Sequence, residues 1–177
     1  MQSYADARLT SARHKNRNVH LYGLPAERLG NQLAVDKALF GSLTAQVPRF
    51  TQAHYINAML GEVLQHLDPR GTDLDQMEIE KDLVYALAEK GQQYREYILS
   101  DPDSAVIPEQ RPVCKLSAEV NDQFARMIDV MKTMPGQITA KPFEIVSACL
   151  SEYLDALGEE REALTALFRQ STITTIQ

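Results

Sequence analysis

The sequence predicts a mainly α chain, with a helical N-terminal domain followed by a smaller unit of one strand and two helices. Three observations carry this. Over most of the 177 residues, apolar side chains recur at three- and four-residue steps, the spacing of a helix face. Clusters of Pro, Gly and Asp interrupt these runs, notably Asp68-Pro69-Arg70-Gly71-Thr72 and Pro135-Gly136. One short stretch, Pro112 to Leu116, alternates instead. That is the period of a strand, with Cys114 and Leu116 on one face and Arg111, Val113 and Lys115 on the other.

Taken in order, residues 1–18 are polar and basic and read as a flexible arm. Its Arg13, Lys15 and Arg17 are candidates for contact with a nucleic-acid backbone. Val19 to Tyr22 is a short strand stopped at Gly23 and Pro25. A helix is expected from Asn31 to Ala45, broken by Pro48. The next, Ala53 to Leu67, carries Tyr55, Ile56, Met59, Leu60, Val63, Leu64 and Leu67 in helical order. A long helix from Leu74 to Leu99 carries Met77, Leu83, Val84, Leu87, Tyr94 and Ile98. Its tyrosines, at helical spacing, read as core or interface residues. The polar stretch Ser100 to Ser104, with Pro108, is the best boundary. It separates a helical domain, 19–104, from a C-terminal domain, 105–177.

In that second domain Ser117 caps an amphipathic run from Ala118 to Lys132, with Val120, Phe124, Met127, Ile128 and Met131 as its stripe. Beyond the Pro135-Gly136 break, Thr139 is the expected N-cap of a second run to Leu157. Ile145, Val146, Cys149, Leu150, Tyr153 and Leu154 are its apolar positions. A last helix, Glu159 to Gln170, and a β-prone tail from Ser171 to Gln177 complete the chain.

Composition narrows the function. An apolar content of 44% is enough for a real core, and no apolar run approaches a membrane span. The first residues lack the apolar core of a secretion signal, so a cytoplasmic protein is expected. Two cysteines on apolar faces suit a reducing compartment and inert packing. The four histidines are scattered, and no spacing suits a metal, a nucleotide loop or an activated nucleophile. The expectation is therefore a protein that is not an enzyme, with no cofactor and no metal. The net charge of −6 is uneven. Residues 1–60 balance at +4, 61–104 at −7 and 105–177 at −3, which is compatible with a basic binding face and an acidic outer face.

The alternating strand poses a question of its own. A lone strand leaves its backbone groups unpaired, and nothing nearby in the sequence supplies a partner. Strand, capped helix, turn and second helix, from Arg111 to Leu157, together resemble the ribbon-helix-helix family (Arc, MetJ and CopG-type proteins). The resemblance implies a homodimer whose strands pair across the two chains as an antiparallel ribbon, read into the major groove of double-stranded DNA. Arg111, Val113 and Lys115 would then face base edges, although Val113 stands where the family more often has a polar reader. Thr139, Ala140 and Lys141, at the start of the second helix, would hold phosphate. The ribbon lies late in the chain, as in AcaB-type activators of conjugative-plasmid transfer genes, which implies a transcriptional regulator of a bacterial mobile element. The alternative is an antitoxin or plasmid-maintenance module whose Leu74–Leu99 helix grips a second protein.

Overall fold

The computed structural model describes residues 18–21, 23–39, 51–70, 73–100, 113–136 and 139–174, with His20, Gly23, Leu39 and residues 161–174 as backbone only. In chain order these form β1 (Asn18–His20), α1 (Gly23–Leu39), α2 (Gln52–Val63), α3 (Leu74–Ser100), β2 (Val113–Lys115), α4 (Ala118–Thr133) and α5 (Pro142–Thr174). The chain is mainly helical, with one small two-stranded antiparallel sheet. No helix among the described residues is long and apolar enough to cross a membrane.

Several elements follow directly from local sequence. Ser117 caps α4, its side chain accepting the Val120 N–H at 3.4 Å. The helix stops just before Met134 and Pro135. It buries Val120, Phe124 and Met127 from the expected stripe, with Ile128 and Met131 half-buried. At the head of α2, the Thr51 N–H donates to His54 Nδ1 at 3.0 Å. His54 is thus engaged in capping.

Several boundaries differ from expectation: β1 is Asn18–His20, and α2 ends at Val63, before the expected Leu67. Helix α1 begins at Gly23, well before Asn31. Pro25, which follows the end of the strand, sits in the first turn of this helix, where a missing N–H costs nothing. The expected end at Ala45 lies outside the described residues. The second and last helical runs of the C-terminal region are one helix, α5, which passes through Gly158 and continues to Thr174. A single helical glycine costs about 1 kcal/mol, too little to break a helix whose other residues favour it. The residues expected as a β-prone tail are accordingly helical as far as Thr174.

The largest departure concerns cover for the C-terminal unit. Strand β2 pairs within its own chain, antiparallel to β1, in the register Asn18↔Lys115, Val19↔Cys114 and His20↔Val113. Helix α5 packs chiefly against α3, with α1 and α2 behind it, and α4 packs against α2 and α3. One apolar core therefore joins Leu29, Ile56, Leu60 and Val84 to Leu116, Val120, Phe124 and Leu150. Leu116, Val120, Phe124, Ile145 and Leu150, the apolar residues of the strand and the two helices after it, are all buried within this chain. The linker at 100–104 thus separates two stretches of sequence, not two cores.

One ion pair and one close helix approach mark that core. Glu80 of α3 is 0% exposed and pairs with Arg126 of α4 at 2.6 Å. Its other oxygen accepts the Asp68 N–H at 3.0 Å, tying the α2–α3 turn to both helices. Gly91 of α3 allows the head of α5 to approach closely. A Cβ there would lie 2.9 Å from Ile145 Cγ1 and 3.1 Å from the Ile145 backbone nitrogen. Gly61 of α2 has room, its nearest neighbour being Val120 Cγ2 at 3.6 Å. The two glycines should therefore respond oppositely to alanine. Gly61→Ala should stabilise by roughly 0.5–1 kcal/mol through helix propensity. Gly91→Ala should destabilise by about 1–3 kcal/mol, because backbone atoms must move. Urea unfolding of the two variants checks the sign of each.

Candidate nucleic-acid interface

The ribbon is built on a parity that the register makes explicit. Val19 and Cys114 lie opposite one another and both are buried, as is Leu116. Asn18, Val113 and Lys115 are therefore on the outward face, with Val113 52% exposed. Asn57 of α2 braces the strand from below. Its Nδ2 donates to the Lys115 carbonyl at 3.0 Å, and its Oδ1 accepts the Ser117 N–H at 2.7 Å. One side chain thus holds the last residue of the strand and the first cap of α4 in fixed relation. The sequence pattern points to neither Asn18 nor Asn57, because the strand pairing of the one and the bracing contacts of the other are made with residues distant in the chain.

The head of α5 is arranged differently from expectation. The helix starts at Pro142, so Lys141, not Thr139, is its N-cap. Glu144, three residues on, folds back and accepts the Lys141 backbone N–H at 2.7 Å. This is the reciprocal half of a capping box. Arg95 of α3 then clamps the assembly. Its Nε donates to Glu144 Oε1 at 2.7 Å, its Nη1 donates to Thr139 Oγ1 at 3.2 Å, and its Nη2 ion-pairs with Glu144 Oε2. The chain's own carboxylate, balanced by Arg95, thus stands where a phosphate was expected. Thr139 is exposed but held by Arg95, whereas Ala140 is buried against the Gly91 approach. Lys141 is exposed, its ammonium 5.9 Å from the Phe143 ring centre. Pro142 at the first helical position and Glu144 at the third were the sequence signal for this cap.

The Glu144 carboxyl titrates below its ordinary value. Burial pushes it up, but the Arg95 hydrogen bond, the Lys141 N–H and their charges together outweigh burial. A carboxyl depressed in the folded state contributes stability that is present above its unfolded pKa and lost as pH falls through the folded one. The wild-type chain should therefore lose stability on acidification below the ordinary value of 4.5 more steeply than Glu144→Gln does. Urea midpoints measured from pH 7 down to pH 3 read the difference.

The candidate residues fall into two groups. Val113 and Lys115 lie together on the ribbon with Asn18, while Thr139, Ala140 and Lys141 lie at the head of α5 with Arg95 and Glu144. Arg111, Arg13, Lys15 and Arg17 lie outside the described residues. The chemistry elsewhere is muted. Among the described residues no three of His, Cys, Asp and Glu gather as a metal site. Burial pushes the Cys114 and Cys149 thiols up to about 11, so both stay protonated at neutral pH. Burial likewise pushes the Tyr94 hydroxyl up to about 12, against an opposing hydrogen bond with Ser147. Comparison with protein-family models, curated proteins and solved structures finds no match for this sequence.

Proposed function

We propose that this protein is a DNA-binding transcriptional regulator that reads double-stranded DNA with the outward face of the β1–β2 ribbon. The observation that carries the proposal is the ribbon itself: two antiparallel strands with Val19 and Cys114 inward and Asn18, Val113 and Lys115 outward. A two-stranded ribbon has the dimensions of the major groove. Lysine donates to guanine O6 and N7, and valine packs against a thymine methyl. The sequence entering β1 carries Arg13, Lys15 and Arg17, which suit the phosphate backbone. The head of α5 contributes less than expected, because Glu144 already satisfies the Lys141 N–H. The exposed Lys141 ammonium is the phosphate contact offered there.

The two lysines should fail differently. Lys115→Ala should cost roughly 1–3 kcal/mol on the preferred site and relax sequence preference there. Lys141→Ala should weaken binding to all duplexes alike and lower the salt slope by about one. Gel shifts across a salt series, on preferred and scrambled duplexes, separate the two. If neither substitution alters binding, the ribbon is not the reading surface.

A second reading is favoured by the surface of α3. Leu74 is 77% exposed and Leu99 76%, and Ile79, Tyr85 and Tyr97 are exposed between them. An apolar surface of this kind suits a protein partner, as in an antitoxin or plasmid-maintenance module. Co-purification of a partner that Tyr97→Asp and Leu99→Ser release, with DNA binding absent from the wild type, would favour it.

A further inference from the structure

Resting on the DNA reading above, we infer that a single chain holds a complete reading ribbon, so that the target is a short site without two-fold symmetry, bound one chain per duplex. In a ribbon made of two copies of one strand, every outward residue occurs twice about a two-fold axis, and the DNA site mirrors that axis. Here the two strands are different sequences. Lys115 stands opposite Asn18, not opposite a second Lys115, and Val113 stands opposite His20. Each outward residue therefore occurs once, and the ribbon has no symmetry to impose on the DNA.

The rest of the chain closes the unit. The inward pair, Val19 and Cys114, sits on the chain's own core with Leu116. Asn57 fixes the Lys115 carbonyl and the Ser117 N–H from α2 of the same chain. Val120, Phe124, Ile145 and Leu150 are covered by the chain's own helices. The forces that make a symmetric ribbon dimer obligatory, an unpaired strand and uncovered apolar side chains, are both met within one molecule.

The test begins with the full chain and a library of duplexes carrying a randomised 20-base-pair core, about two turns of B-DNA at roughly 10 base pairs per turn. Selection should return a consensus that lacks two-fold symmetry. Single substitutions within it should each lower affinity by roughly 5- to 150-fold, and they should cluster on one side of the duplex centre. Light scattering of the complex with the selected duplex should give one chain per duplex. Selection repeated with Lys115→Ala should relax one contiguous position of the consensus. A palindromic consensus bound by two chains, or relaxation at two symmetry-related positions, would overturn the inference while leaving DNA binding in place. Failure to shift any duplex at micromolar protein and low salt would remove the DNA reading and this inference with it.

Discussion

Leu116→Asp is expected to unfold the protein, whereas Lys115→Ala, its immediate neighbour, should leave the unfolding midpoint nearly unchanged. Leu116 is 2% exposed and packs in the core beside Cys114 and Val120. Removing it from water contributes about 1.5–3 kcal/mol, and an unpaired carboxylate in its place would cost several kcal/mol more. That loss is comparable with the whole stability of a domain of this size, roughly 5–15 kcal/mol. Lys115 points the other way and is exposed, and its contact with Asn57 is made by the backbone carbonyl, which alanine keeps. Its loss should stay within about 0.5 kcal/mol. Leu116→Ala, a cavity without a buried charge, should fall between the two at about 2–5 kcal/mol. Urea unfolding followed by circular dichroism gives all three midpoints. A stable Leu116→Asp with a destabilised Lys115→Ala would mean that the strand faces are reversed and the outward set is wrong.

The second large effect belongs to the buried ion pair. Arg126→Ala would leave the Glu80 carboxylate in the core with only the Asp68 N–H as a donor. Breaking a buried pair in this way costs about 3–5 kcal/mol, most of it from the stranded charge. The double variant Glu80→Met with Arg126→Leu removes both charges and should recover much of that loss. Recovery should be incomplete by roughly 1–3 kcal/mol, because the Asp68 N–H then lacks its acceptor. Thermal unfolding of Arg126→Ala and of the double variant tests the account. A double variant no better than Arg126→Ala would show that the pair's worth is not electrostatic.

Helices α3 and α4 were legible in the sequence nearly to the residue, because both have helical apolar spacing and clear ends. The strand faces were legible too, since a period of two needs only local sequence. The head of α5 was half legible. Thr139 is intrinsically the better cap, and it drew the assignment away from Lys141. The Pro142 and Glu144 spacing, with Arg95 arriving from α3, decided otherwise. Glu80 and Gly91 escaped the apolar pattern altogether. A charged residue and a glycine on a buried line declare their roles only when Arg126 and Ile145 are in place.

From sequence alone, the periodicity of each element determined which face of it must be hidden. Which surface hides it was decided by the tertiary structure. Burial of apolar area is non-directional: Leu116, Phe124 and Leu150 state that they need cover, and α2, α3 or a second chain would satisfy them equally. The same holds for the strand, whose backbone groups require a partner without naming one. In this chain β1 supplies that partner.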